Sequence, residues 1–343
     1  MKEKRALVIG FYSTIGDIDS LKIVLEWLSE KDVQYTVAPF GGPVLDAIPG
    51  SVLPETVDPQ GYTHVIVVCG PCDRDYYAKR WPINPQTFKH CHFIGVNLSM
   101  IQSHSDWEPF DTLLERDSDQ KVRPDLTLIL EPRVTPVFGL CLAPSQPEYK
   151  DRQLHAKANY LLKSLARKMN AAVIEIDTGW PKELNKLGLE SGAQIESVIS
   201  RVDVLCTTRL HGTVYALKNG VPPLVLDPIK GGGKVIQQTG VLGWPSAYLA
   251  ETVQNDDLFR GLEFCLSEKG KKQAQKSAAQ AKYLLAEVRE EFMSALKLGP
   301  QGASLRWPER NIERRSLARR VKGFGRRYAR EFCYYVLKVT ESD

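Results

Sequence analysis

The residues with the clearest chemical potential lie in the run Asp203-Val-Leu-Cys-Thr-Thr-Arg-Leu-His-Gly-Thr-Val-Tyr-Ala-Leu-Lys-Asn-Gly-Val-Pro-Pro-Leu-Val-Leu-Asp227. An apolar strand ends at Thr207 or Thr208, Arg209-Leu210-His211-Gly212 makes the turn, and a helix follows at once. Arg209 and His211 therefore stand where a strand's carboxyl end meets a helix N-terminus. First-turn amides and the helix dipole make that place attractive to an anion. A guanidinium adds a planar fork for carboxylate or phosphate. An imidazole can give or take a proton near neutral pH. Gly212 would let a ligand approach the backbone closely. The plainer alternative is an Arg and a His that cap the helix and pair with a carboxylate.

Other segments carry weaker signals. Cys69-Gly-Pro-Cys72 has the form of a redox tetrapeptide, which needs its first thiol at a helix N-terminus. Asp73, Arg74 and Asp75 follow, then Pro82 and Pro85, and we read this stretch as a loop leaving a strand. With His90 and His92 the same thiols give four conceivable zinc ligands, at a spacing unusual for a finger. Gly231-Gly-Gly-Lys234 lacks the Ser or Thr that follows the Lys of a phosphate loop. It reads instead as a loop lining a ligand site, with Lys234 reaching in. Trp81, Trp107, Tyr76 and Tyr77 offer aromatic faces for a sugar, or ordinary packing.

These residues need a scaffold, and the chain alternates short apolar runs with amphipathic stretches. Strands are expected at 5–11, 35–38, 63–69, 93–98, 112–114 and 126–130, with a helix over 18–29. Prolines at 132, 136, 144 and 147 mark a domain boundary near 132–136. A second series follows. Its strands are expected at 137–142, 172–176, 204–207 and 223–226, and its helices at 151–169, 192–202 and 211–219. Gly220 stops the last of these. Residues 267–298 read as one long helix, broken by Gly299-Pro300-Gln301-Gly302. Strand–helix alternation predicts an α/β protein of two Rossmann-like, doubly wound domains facing a cleft, over 1–134 and 135–300. In such sheets ligands sit beyond the carboxyl ends of the strands.

The Thr-Arg-Leu-His–helix–Gly-Val-Pro–strand pattern resembles the signature of the polysaccharide pyruvyltransferase family. Asp227-Pro-Ile-Lys-Gly-Gly-Gly-Lys234 with Gln237 and Gly240, the opening loop Gly10-Phe-Tyr-Ser-Thr-Ile-Gly16-Asp17, and the pair Arg116-Asp117 also fit it, over roughly residues 5–300. The resemblance implies a GT-B-like architecture and transfer of the pyruvyl group of phosphoenolpyruvate onto two sugar hydroxyls, forming a ketal in surface-polysaccharide synthesis. Carried over by motif, Arg209, Leu210 and His211 would contact phosphoenolpyruvate. Our candidate catalytic residues are His211, Arg209 and Asp17. Candidate substrate-binding residues are Leu210, Gly212, Thr208, Gly16, Lys234, Gln237 and Arg116. One departure stands out. The family often has an Arg just after the first strand of the second domain, where this chain has Leu142-Ala-Pro-Ser-Gln-Pro-Glu-Tyr-Lys-Asp-Arg152. Lys150 and Arg152 are the available substitutes. The alternatives are a glycosyltransferase using a nucleotide-sugar and a non-catalytic sugar-binding relative.

Composition sets the surroundings. The chain has 343 residues and seven cysteines, an odd number that argues for reduced thiols. No run approaches a membrane span, and the apolar stretch at the N-terminus is too short for a signal-peptide core, so we expect a cytoplasmic protein. The net charge is +4, yet eleven Lys/Arg against three Glu between Arg306 and Lys338 give that segment +8. Leu317, Val321, Phe324, Tyr328, Phe332 and Tyr335 recur there at helical spacing. A basic amphipathic helix over 301–343 would suit an anionic membrane surface and a lipid-linked glycan, and would equally suit the protein's own body or a second subunit. No nucleic acid, metal or cofactor is expected beyond the donor substrate.

Overall fold

In the computed structural model the residues described are 3–39, 48–80, 83–180 and 182–298. The expected basic helix at 301–343, and Trp81, lie outside them. The chain forms two compact units that part between Val134 and Thr135. No helix among the described residues is long and apolar enough to cross a membrane.

The first unit contains β1 (Arg5–Ile9), α1 (Ile15–Ser29), β2 (Gln34–Val37), β3 (His64–Val68), β4 (Pro71–Cys72), α2 (Arg74–Arg80), β5 (His92–Val96), β6 (Ser99–Met100) and β7 (Thr112–Leu114). Five strands make a parallel sheet in the order β2-β1-β3-β5-β7, and β4 pairs with β6 apart from it. The central strands are apolar on both faces, as a sheet covered on both sides requires.

The second unit contains β8 (Val137–Cys141), α3 (His155–Lys168), β9 (Ala172–Glu175), α4 (Gly192–Ile199), β10 (Val204–Thr207), α5 (Leu210–Lys218), β11 (Pro223–Asp227), α6 (Lys234–Val241), β12 (Ala247–Leu249), α7 (Asn255–Leu266) and α8 (Glu268–Ala295). Its sheet is parallel throughout, in the order β12-β11-β10-β8-β9. Numbered within each unit, both sheets have the order 2-1-3-4-5. The direction of winding reverses between β1 and β3 in the first and between β8 and β10 in the second. Such reversals open a crevice beyond the strand ends, the usual ligand position of this fold. The chain is thus α/β with two Rossmann-like, doubly wound units.

Three expectations need correction. Residues 126–130 are not a strand: Leu126–Ile129 form a single 3-10 turn. The Asp125 carboxylate accepts from the Thr127 amide (2.9 Å) and hydroxyl (2.6 Å), and the Leu126 amide donates to Asn97 Oδ1 (3.2 Å). These local side-chain bonds outcompete a sheet ladder. The stretch after Cys72 is not a loop but α2. The helix expected from 151 starts only at His155, because Pro147–Arg152 are 3-10 with Lys150 at φ 50°.

Candidate functional site

The second unit's reversal is built from β8, β10 and the helices that follow them. Thr208 is buried, and its hydroxyl oxygen accepts from the Ala143 amide (2.7 Å) while donating to Asn159 Oδ1 (3.2 Å). Asn159 Nδ2 donates to the Ala143 carbonyl (2.9 Å). One Thr and one Asn thereby pin the start of the β8–α3 loop and the opening turns of α3 to the end of β10. Thr207 donates to the Cys141 carbonyl (2.7 Å) and accepts from the Arg209 amide (3.0 Å), which turns the chain into α5.

Neither α3 nor α5 has a side-chain N-cap among the described residues. Their N-cap positions are Leu154 and Arg209, neither of which offers an acceptor. Both therefore present first-turn amides and a positive dipole end at the reversal. By contrast, Ser191 caps α4, accepting from the Gln194 amide at 3.3 Å. At α6 the Asp227 carboxylate, fully buried at the end of β11, accepts from the amides of Ile229, Gly233 and Ile236 at 2.9–3.0 Å. The anion site at α6 is already filled by the chain's own carboxylate. Gly231 and Gly232, at φ 69° and 83°, make the left-handed turn that brings those amides round.

Arg209 is spread over three partners. Nε donates to the Leu142 carbonyl (2.9 Å), one terminal nitrogen to Thr178 Oγ1 (3.3 Å), and the other pairs with Asp177 Oδ1 (2.9 Å). Its side chain keeps 21% exposure, and that of Asp177 keeps 13%. The carboxylate pairing that was the plain alternative is thus present, and the guanidinium also ties the ends of β8 and β9 together. His211 sits exposed in the first turn of α5, its ring 6.5 Å from that of Tyr215. Leu210 packs against the second unit's core instead of presenting itself to solvent. Gly212 is buried, and a Cβ there would come within 2.5 Å of Thr207 Oγ1 and 2.9 Å of the Cys141 sulfur. Close packing of helix on strand, not ligand approach, demands this glycine. The Cys141 thiol is pushed up to about 11 by burial, against the pull of Arg209, and is held protonated.

The other candidates are placed as follows. Lys234 is the exposed first residue of α6, and Gln237 is exposed one turn on. The Lys234 charge lies near His155, whose imidazole is lowered by burial against the pull of Asp227 and Glu148. Arg152 donates to the carbonyls of Lys230 (2.9 Å) and Gly232 (3.2 Å), so it binds the glycine loop and not an open site. Asp17 closes a capping box on α1: its carboxylate accepts from the Thr14 amide (2.8 Å) and the Ser13 amide (3.0 Å), and its own amide donates to Thr14 Oγ1 (3.2 Å). Gly16 is exposed in the same first turn. Arg116 pairs with Asp117 (2.9 Å) and Asp125 (3.1 Å) and also donates to Ser99, which is a structural role. Tyr77 and Trp107 stack edge to face in the first unit's core, their ring centres 5.8 Å apart. Cys69 and Cys72 are buried, the latter thiol raised to about 12 by burial, so neither is a ready thiolate.

Sequence reasoning passed over Asp177, Thr178 and Asn159. Asp177 follows β9 directly, and a carboxylate just past a strand end was the available signal. Asn159 lies in a helix whose period announces only packing.

No protein-family model matches this chain, and no curated protein matches it in sequence. Among solved structures it is similar to the spinosyn rhamnosyltransferase SpnG bound to thymidine diphosphate, at 10% identity over 83% of this chain and 100% of that one, with a TM-score of 0.30. It is similar to the glycosyltransferase VinC in complex with dTDP, at 10% identity over 86% and 100%, TM-score 0.31. It is also similar to the UDP-GlcNAc 2-epimerase of Methanocaldococcus jannaschii, at 10% identity over 82% and 99%, TM-score 0.28. Likenesses this slight establish no shared activity.

Proposed function

We propose that the chain is a transferase whose second unit binds a small phosphate-bearing donor at the carboxyl ends of β8 and β10, and that the donor is phosphoenolpyruvate. One observation carries the reading: two helices without side-chain caps, α3 and α5, begin at the point where the sheet's winding reverses, with Arg209 and His211 on the second of them. The resemblance of the Thr-Arg-Leu-His run to the pyruvyltransferase signature is what supports phosphoenolpyruvate as that donor. In the reaction the donor's methylene carbon gains a proton and one sugar hydroxyl bonds to its central carbon. A second hydroxyl then displaces phosphate, which leaves with the bridging oxygen. The hydroxyl protons pass to bases. His211, exposed and unburdened by a hydrogen bond among the described residues, is the acid or base. The amide ends and Arg209 would meet the phosphate charge.

A second reading, transfer from a nucleotide-sugar, is favoured by Asp177. A carboxylate at the end of a Rossmann unit's second strand is where such folds hold a ribose hydroxyl, and Asp177 follows β9. Against it, the β8–α3 loop contains no glycine.

Thermal shift separates the two, because a ligand that binds the native state raises its melting temperature. We expect phosphoenolpyruvate to stabilise the protein and nucleotide-sugars not to. Phosphate release from phosphoenolpyruvate with a glycan panel should fall at least ~100-fold in His211→Ala, the scale of lost general acid–base catalysis. Stabilisation by nucleotide-sugars alone would transfer the site to the second reading.

A further inference from the structure

Past the carboxyl ends of the first unit's strands stands a histidine that the proposed reaction has not used. His104 lies on the chain that leaves β6, and Asp119 on the chain that leaves β7, so both belong to the side on which this fold takes ligands. Their contact is close: Asp119 Oδ1 lies 2.7 Å from His104 Nδ1 and also accepts from the His104 amide (3.2 Å). The Ser103 hydroxyl donates to Oδ2 (2.6 Å). Hydrogen bonds from Ser103 and His104 hold the Asp119 carboxyl down at about 2, so it is ionised and can only accept. His104 must therefore carry its proton on Nδ1, and the neutral ring presents a bare Nε2. That nitrogen has no hydrogen-bond partner among the described residues, yet it is not enclosed, unlike the buried Nδ1 of His155.

The loop that carries this ring is fixed on both sides. The Ile101 amide donates to the Cys72 carbonyl (3.1 Å), Gln102 Oε1 accepts from the Arg74 amide (2.9 Å), and Trp107 stacks on Tyr77. The imidazole keeps 12% exposure, so it is held in place with one nitrogen free to meet a ligand. All six histidines are among the described residues, and only His104 hydrogen-bonds to a carboxylate. The His92–Asp111 pair stands off at 3.8 Å. A ring anchored by a carboxylate at one nitrogen and bare at the other is the arrangement that activates a hydroxyl. We propose that His104 is the general base for the acceptor hydroxyl, with Asp119 as its positioning residue; this rests on the reading of the chain as a transferase to a sugar. In the step, Nε2 takes the hydroxyl proton while the oxygen's electron pair forms the bond to the donor's electrophilic carbon. The Nδ1 proton stays on the ring, and the imidazolium returns its extra proton to solvent. Protonation of the donor's methylene carbon and loss of phosphate fall to the second unit.

Two measurements on the full chain test this, one of them independent of any donor. Nitrogen-15 NMR of the ring should show neutral His104 as the Nδ1–H tautomer, and Asp119→Asn should admit the other. A proton on Nε2 in the unaltered protein overturns the proposal whatever the donor. Phosphate release from phosphoenolpyruvate, and sugar transfer from nucleotide-sugars, are then assayed with one glycan panel. Whichever donor supports turnover, we expect His104→Ala to lower it at least ~100-fold. Added imidazole should restore part of the rate, and the rise in melting temperature caused by that donor should persist. Asp119→Asn should lose rate in the same direction. Near-normal turnover in His104→Ala overturns the role of His104 and leaves the donor reading standing. A loss of rate that imidazole does not restore, with the donor-induced shift lost as well, marks a collapsed loop and overturns it equally. Sugar transfer that disappears in His104→Ala, with no phosphate released from phosphoenolpyruvate by either protein, would retire that donor and keep His104.

Discussion

Gly212 shows how one position can be readable in type and misread in purpose. Its place after Arg-Leu-His suggested an opening for a ligand, whereas the space above its Cα is taken by Thr207 and Cys141. Adding a methyl group there means overpacking, which costs ~1–3 kcal/mol. We therefore expect Gly212→Ala to lower the urea midpoint by that amount of stability. Binding at the α5 terminus should weaken only as far as the helix is displaced. Arg209 teaches a similar lesson. The motif announced a guanidinium at a strand end, but Asp177 and Thr178 are more than thirty residues away in sequence, and only the β10–β8 and β8–β9 pairings together bring them to it.

Among the elements, the strands were the most readable, because buried parallel strands are short apolar runs set off by turn residues. The stretch read wrongly as a strand is one whose shape is set by side-chain hydrogen bonds and not by hydrophobic period. The stretch 126–129 has strand composition, and the Asp125 and Asn97 side chains decide its shape. That polar link also gives the first unit a pH signature. Burial pushes the Asp125 carboxyl up, but hydrogen bonds from Thr127, Arg116 and Asn97 outweigh it and hold it down at about 2. A carboxyl depressed on folding contributes stability that is complete above its ordinary range, near pH 4, and drains away as the pH falls toward 2. We expect acid titration to weaken the first unit across that window. Asp125→Asn should flatten the loss there while lowering stability at neutral pH. An unchanged acid profile in the variant would place the sensitivity elsewhere, for instance in Glu115, which Arg123 pairs at 2.5 Å.

Two units with separate cores make two folding problems. Phe138, fully buried on β8, packs only within the second unit's cluster. Truncating such a ring leaves a cavity worth ~3–5 kcal/mol. In Phe138→Ala, fluorescence and exchange should report early melting of residues 135–298, while the first unit keeps its own transition. A single transition shifted as a whole would mean the units unfold as one. The strand–helix alternation gave this division in outline; that both sheets repeat the order 2-1-3-4-5 needed the pairing itself. The capping box on α1 acquires a wider meaning against that repetition. The repeat places two helix N-termini, those of α1 and α3, at like positions after the first strand of each sheet. Asp17 supplies the first with a resident negative charge, whereas the corresponding helix in the second, α3, begins with Leu154 and His155. The symmetry is broken chemically, and on the proposed reading a small anionic donor should therefore favour the second unit over the first.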